Sequence, residues 1–340
     1  MPAILFDLGG THIRGAVART CSNPTNATLE RRVKRHIPNF LTHAAPVAVW
    51  DELLQLICGY VMSVADLVGP SDPVIIGFPG PIDSDGRVVA APTIIGRRFA
   101  VPDIRTRVSS ATARPTFLLN DMSAAAWHLS CVTNSHRFIA VTVSSGIGSK
   151  LFDRTSSGGV IDDVPYAGEI GHVTVDSDPL APLCDCGSRG HLGSIASGRG
   201  IERAARRKAE EDKRAFSSSL CSSQFGATST MISNENHLVP AALQGDVWAL
   251  DVIRWCTRPL AQTLISITVA AGLDRIIVIG GFAQSLGSLY VDILRETMDK
   301  RDSFPGFPIF DSQLIQLCRP DDEVCLLGAA TYAHKRLGVT

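Results

Sequence analysis

Three apolar runs in this chain each stop at a glycine-rich turn, and no other feature limits the fold as strongly. Residues 3–8 run into Gly9-Gly10-Thr11, residues 138–143 into Ser144-Ser145-Gly146-Ile147-Gly148, and residues 275–279 into Gly280-Gly281-Phe282-Ala283. Short apolar or β-branched runs bounded by glycine read as buried strands. Residues 13–18 return after the first turn, so the start of the chain reads as a hairpin. Further strands are expected at 73–78 and 116–119. Apolar spacing predicts helices over 50–67, 195–211, 247–273, 288–298 and 325–333. Strands whose C-terminal ends carry turns, with helices between them, make an α/β protein that binds ligands at its strand ends.

Composition narrows the function. The 340 residues suggest about two domains, and a formal net charge of -1 gives no pull toward nucleic acid or an anionic membrane. Two short basic clusters occur, Arg31-Arg32-Val33-Lys34-Arg35 and one at 203–207, the second on a predicted helix face. The start of the chain shows neither a basic segment nor a long apolar one, and residues 260–273 are interrupted by Gln262, Thr263, Ser266 and Thr268. Neither stretch reads as a signal peptide or as the run of about 20 residues that spans a membrane, so a cytoplasmic protein is expected. The nine cysteines are an odd number and scattered, which fits reduced thiols. Only Cys184 and Cys186 stand close together. Residues 217–236 are Ser-rich and are expected to form a loop or mobile insertion.

Each glycine turn has an ordinary reading and a chemical one. A Gly-Gly turn joins hairpins, yet it also lets backbone N–H groups approach a phosphate. Asp7 at the strand end can hold a water on Mg²⁺, and Thr11 can donate to a phosphate oxygen. One such turn says little. Three of them, widely spaced, suit a nucleotide held by separate segments, and none fits the P-loop or the dinucleotide fingerprint.

Taken together, the motifs resemble the ROK family of sugar kinases, within the actin/hexokinase-like ATPase superfamily. Asp7-Leu8-Gly9-Gly10-Thr11 resembles the first phosphate motif, and Ser144 to Ser149 the second, with Ser144-Ser145-Gly146 where Gly-Thr-Gly is common. Gly280-Gly281-Phe282 resembles the adenosine motif. Phe78-Pro79-Gly80-Pro81-Ile82-Asp83 resembles a substrate-side loop, and Leu119-Asn120-Asp121 the catalytic segment. Gly168-Glu169-Ile170-Gly171-His172 and Cys184-Asp185-Cys186-Gly187-Ser188-Arg189-Gly190 complete the set.

The resemblance implies two α/β domains of the ribonuclease H-like type with a central cleft. The smaller is expected over 1–115, completed by a C-terminal helix at about 325–340, and the larger over 116–324. It implies Mg·ATP as the phosphoryl donor, with Asp7, Gly9, Gly10, Thr11, Ser144, Ser145, Gly146, Gly148, Gly280, Gly281 and Phe282 on the nucleotide. Asp121 resembles the general base. Asn120, Glu169 and His172, with Gly80 and Pro81, resemble the sugar pocket, whose donors and acceptors suit a polyol. Asn120 and Asp121 also suit a helix N-cap. His172, Cys184 and Cys186 resemble ligands of a structural zinc, and His191 stands where the family has a third Cys. Two thiolates with two imidazoles suit Zn²⁺. A homodimer is the family default.

Departures from the family concern the substrate. Gly193 stands where an acid usually contacts the sugar. Thr93 and Arg97 replace a common Asn and an aromatic, and Lys150 brings a positive charge near the phosphates or the pocket. The expected substrate is therefore a modified hexose, an amino sugar or a C7 cyclitol rather than glucose, as in kinases of antibiotic pathways within the family. The rival readings are an ordinary glucokinase, a sugar-sensing regulator, a filament or chaperone ATPase, and a sugar binder without catalysis. A regulator would carry a DNA-binding segment ahead of the phosphate motif, and here that motif begins at Asp7.

Overall fold

A computed structural model describes residues 2–9, 12–19, 27–39, 46–95, 101–156, 158–299, 313–318 and 323–339. Contacts divide the chain into two compact units. One comprises 1–134, 152–167 and 321–340, and the other 135–151 and 168–320. The expected boundary at 115 differs from this division because the strand that follows it pairs into the first sheet.

The first unit is built on the strands β1 (Pro2–Leu8), β2 (His12–Arg19), β3 (Thr28–His36), β4 (Val74–Phe78) and β5 (Thr116–Asn120), in the order β3-β2-β1-β4-β5. β1 pairs antiparallel with β2 and parallel with β4, and β4 parallel with β5. Successive side chains of a strand point to opposite faces, and β1 is buried on both. Ile4, Phe6 and Leu8 join the core that includes Leu53 and Ile57 of the helix Pro46–Ser63, while Ala3 and Leu5 join one with Ala329 and Ala330 of the helix Val324–Leu337. The sheet is thus sandwiched between helices. Each fully buried aliphatic side chain of this kind contributes roughly 1.5–3 kcal/mol.

β3 was not expected. It holds the first basic cluster, and its outer residues are exposed. Charge on an edge strand blocks pairing with other chains, and the same charge hides the strand from a pattern search.

The second sheet has the order β10-β9-β6-β7-β8, from β6 (Arg137–Val143), β7 (Ile147–Asp153), β8 (Val160–Ile161), β9 (Arg275–Ile279) and β10 (Ile315–Leu317). β9 is parallel to both β6 and β10. The core of the second unit gathers β6, β7, β9 and β10 with the helices Gly198–Glu211, Val247–Ala271 and Ser288–Asp299. The expected helix at 195–211 is broken at Ser197, which ends Leu192–Ala196 and caps Gly200 N–H of the next helix.

The Ser-rich stretch 217–236 is a loop over 224–233, as expected, with short helical turns on either side, and it is anchored rather than an insertion standing off the core. Cys221 and Ile232 within it are fully buried. Its serines act as caps: Ser219 accepts from Ser222 N–H ahead of Leu220–Ser223, and Ser233 from Asn236 N–H ahead of the π-turn Asn234–Leu238. Serine suits helix starts as well as loops, and composition alone does not separate the two. Among the described residues, no helix is long and apolar enough to cross a membrane.

Candidate functional site

Parallel pairing aligns strand ends. In the first unit Asp7 sits opposite Gly77, and Phe78 opposite Asn120. The motif residues Asp7, Gly80 and Asn120-Asp121 therefore meet at the C-terminal ends of the parallel strands, although they are far apart in sequence.

Asp7 is buried, and Arg14 Nη1 donates to its carboxylate at 2.9 Å. The two residues are cross-strand partners in the β1–β2 ladder. Gly9 N–H donates to His12 O at 2.8 Å, closing the hairpin. Gly10 and Thr11, the rest of the first phosphate motif, lie outside the described residues, as do residues 96–98 of the substrate-side segment.

Asn120 caps the helix Asp121–Val132. Its Oδ1 accepts from Met122 N–H at 3.0 Å and from Ser123 N–H at 3.3 Å, and its Nδ2 donates to Gly80 O at 2.9 Å. The amide thus ties the Gly80-Pro81 turn to the helix start, and the N-cap reading of this residue holds. Asp121 opens that helix half-buried, with Oδ1 accepting from Met122 N–H at 2.8 Å. The macrodipole at this end favours the ionised carboxylate.

Cys325 approaches Asp121 from the C-terminal helix, with Sγ 3.5 Å from the Asp121 carbonyl oxygen. Desolvation pushes this thiol well above its ordinary pKa, and the nearby Asp7 and Asp121 carboxylates push it further. It is a neutral donor beside two acids.

In the second unit, the pairing of Thr142 with Ile279 sets the turns after β6 and β9 side by side. Gly280 has φ +100°, and a Cβ there would lie 2.6 Å from Val143 O, so only glycine permits this approach. Gly281 starts the helix Gly281–Leu286. Phe282 is buried, its ring edge-on to Tyr290 at 5.9 Å. Its ring belongs to the core. Ser144 N–H donates to Gly146 O at 3.0 Å, and Gly198 N–H to Ser144 O at 2.8 Å. Gly148, which ends the motif, lies in β7. Asn234 Nδ2 in turn donates to Gly198 O at 2.9 Å.

Glu169 precedes the short turn Ile170–His172. Ser149 Oγ of β7 donates to Gly168 O at 2.7 Å and fixes this segment. Burial pushes the Glu169 carboxyl above the usual carboxylate range, although His172 and Lys150 pull the other way. Lys150 is itself buried, and its stem packs beside Gly168. The charge flagged in the sequence thus belongs to the surroundings of Glu169. Gly193 leaves little room for a side chain, since a Cβ would lie 3.1 Å from Gly171 O.

The four expected metal ligands come together. One donor atom from each of His172, Cys184, Cys186 and His191 lies within 4.8 Å of every other. His172 Nδ1 and His191 Nδ1 are 3.4 Å apart, Cys186 Sγ and His191 Nδ1 3.2 Å, and Cys184 Sγ and His172 Nδ1 3.8 Å. A tetrahedral zinc with ordinary bond lengths needs about 3.3 Å between nitrogens and about 3.6 Å between nitrogen and sulfur. The donor set therefore fits zinc, and His191 stands where it could serve in place of a third Cys. Both histidines offer Nδ1, which leaves Nε2 of His172 for another partner.

Several residues of the site were not singled out from sequence: Arg14, Arg199, Asn234 and Cys325. Arg14 alone had a local signal, since a hairpin about Gly9-Gly10 sets it across from Asp7.

The ROK family pattern matches residues 4–336 of this chain. The C(7)-cyclitol 7-kinase of Streptomyces hygroscopicus subsp. limoneus is 33% identical, over 98% of this chain and 94% of its own length. The 2-epi-5-epi-valiolone 7-kinase of Actinoplanes sp. is 26% identical, over 88% of this chain and 83% of its own. A crystal structure of a ROK family glucokinase from Streptomyces griseus, in complex with glucose and AMPPNP, superposes with a TM-score of 0.72. It covers 97% of this chain and 98% of that one at 24% identity, a likeness of fold. The fold is the two-domain actin/hexokinase-like one, and the chain belongs to the ROK family.

Proposed function

We propose that this protein is an ATP-dependent kinase that phosphorylates a primary hydroxyl of a C7 cyclitol, or of a similarly modified hexose, in preference to glucose. One observation carries the reading: a carboxylate, Asp121, fixed at a helix start at the C-terminal end of β5, in a chain 33% identical over nearly its whole length to a C(7)-cyclitol 7-kinase. The absence of an acid at Gly193 and the buried Lys150 beside Glu169 support a substrate other than glucose.

In this reading Asp121 accepts the proton of the attacking hydroxyl. The oxygen forms a bond to the γ-phosphorus, the bond from that phosphorus to the β–γ bridging oxygen breaks, and ADP leaves with the electron pair. The groups suited to substrate hydroxyls are Asn120 and the Gly80-Pro81 turn in the first unit, and Glu169 and Nε2 of His172 in the second. Asp7, Gly9, Gly10 and Thr11 serve the phosphates, as do Ser144, Ser145, Gly146 and Gly148, while Gly280 and Gly281 admit the adenosine. Mg²⁺ brought with ATP would neutralise charge on the transferring group, and Asp7, held by Arg14, is the carboxylate that would serve its water shell. His172, Cys184, Cys186 and His191 would hold a structural Zn²⁺, and ligation through Nδ1 would fix the His172 ring.

The test is ADP release from Mg·ATP across glucose, mannose, N-acetylated and 3-amino sugars and C7 cyclitols, with Asp121→Ala as control. Turnover on the cyclitols, lost in the variant, is expected. Efficient turnover of glucose alone would make the protein a glucokinase.

A further inference from the structure

One side chain bridges two parts of the second unit that the proposed chemistry treats separately. Arg199 is the second residue of the helix Gly198–Glu211. Its Nε–H donates to Ser145 O at 2.8 Å, and its Nη2 lies 2.7 Å from the Asp185 carboxylate. Ser145 belongs to the glycine turn after β6, and Asp185 stands between Cys184 and Cys186 in the metal loop. A single planar guanidinium, with its donors at fixed angles, thus joins the metal loop to that turn. The residue before it adds a parallel tie, from Gly198 N–H to Ser144 O at 2.8 Å.

The direction of these bonds has a consequence. In a trans peptide, a carbonyl and the N–H that follows it point opposite ways. Drawing the carbonyls of Ser144 and Ser145 toward Gly198 and Arg199 turns the N–H groups of Ser145 and Gly146 away from that helix. Adjacent N–H groups turned outward together form a nest for an anion. The space beside Gly146 is open, with nothing within 4 Å of where a Cβ would stand.

We propose that Arg199 is a positioning residue for the nucleotide. Held by Asp185, it fixes the Ser145 carbonyl and so aims the Ser145 and Gly146 N–H groups at a phosphate. The proposal rests on the nucleotide reading given above, and it makes phosphate affinity depend on the metal loop. The Arg199 and Asp185 side chains are 49% and 53% exposed. Such a pair contributes little by itself, so the effect comes through the carbonyl that Arg199 holds. One hydrogen bond of this kind corresponds to a change of about three- to tenfold in affinity.

The experiment is titration of the full chain with a fluorescent Mg·ATP analogue. It compares wild type, Arg199→Ala, Arg199→Lys, Asp185→Asn and the double variant Arg199→Ala/Asp185→Asn, with zinc content and melting temperature measured on each. Both Arg199→Ala and Asp185→Asn are expected to raise Kd by about three- to tenfold, and the double variant no further than Arg199→Ala alone. Arg199→Lys keeps the charge but not the fork, so it should behave like Arg199→Ala, and zinc content should stay at the wild-type level in both Arg199 variants. Additive effects in the double variant, full rescue by lysine or an unchanged Kd would each overturn the proposal. Loss of zinc in the Arg199 variants would do so as well. Failure of the wild type to bind the analogue would instead remove the nucleotide reading itself.

Discussion

The carboxylate corner of the first unit and the metal loop of the second hold their polar groups by opposite means. Asp7 and Asn120 end strands buried in the sheet, Asp121 opens a helix packed on it, and Cys325 closes the corner from another helix. Apolar packing sets the positions, and hydrogen bonds only refine them. The metal loop has little core to lean on: Leu180, Leu183 and Val173 are exposed, and so are His172 and Cys186. Short backbone bonds such as Cys184 N–H to Ser188 O at 2.8 Å fold it locally, and four donors converge at its centre. Where a core exists, packing orients the chemistry. Where none exists, the proposed ligation would take over, and His172 would be both a ligand and the group oriented.

This contrast yields predictions of decreasing size. Asp121→Asn keeps the shape of the packed corner and removes the base. Its kcat should fall by roughly 10²–10⁴-fold, with a melting temperature near that of wild type, as steady-state assay and thermal unfolding will show. A collapse in stability alongside activity would mean that the carboxylate is part of the packing.

Removing the metal should disturb only the second region. The protein as isolated should carry about one zinc per chain, measured by elemental analysis. Chelation should lower the melting temperature and speed alkylation of Cys186, which is exposed, while Cys184, which is buried, responds less. If Cys186 alkylates equally fast with and without chelator, the four donors hold nothing.

Packing in the first region can be tested at Gly328. A Cβ there would lie within bonding distance of Ala124 O, so the C-terminal helix sits almost on the backbone of the helix Asp121–Val132. Gly328→Val should separate the two helices, cost about 1–3 kcal/mol in a denaturant titration, and lower kcat through Asp121. An unaffected kcat would show that the helix Val324–Leu337 only covers the sheet.

The smallest effect concerns Glu169. Its carboxyl is held above the ordinary range by burial, so the folded state binds its proton more tightly than the unfolded state does. The stability it contributes is present at low pH and is lost as pH rises from the ordinary carboxylate pKa through the raised one. Glu169→Gln should therefore gain stability over wild type at pH 7.5 and less at pH 5, in paired denaturation curves, while substrate KM rises. A gain independent of pH would assign it to packing rather than to the charge.

Much of this was legible in the sequence because the signals are local. Strand and glycine turn lie together at Asp7-Leu8-Gly9 and at Gly280-Gly281, and strand and helix cap at Asn120-Asp121, and all of these fall on strand ends. The Cys-x-Cys pair with its histidines converges as expected. What escaped was non-local or disguised. Arg199 reaches a carbonyl 54 residues away, and Cys325 reaches one 204 residues away. No spacing rule covers such distances. β3 carries its basic residues outward and so lacks the apolar alternation of a strand. The serines at 219 and 233 read as a loop until their cap hydrogen bonds appear. The ring of Phe282 sits in the core, since a motif does not say which way a side chain turns.

The central claim is that the substrate pocket suits a C7 cyclitol better than glucose. The most direct measurement is a competition in one tube: equal concentrations of glucose and a C7 cyclitol, limiting Mg·ATP, and products counted by mass spectrometry. The phosphorylated cyclitol should dominate, and neither product should form with Asp121→Asn. Glucose phosphate as the main product would contradict it.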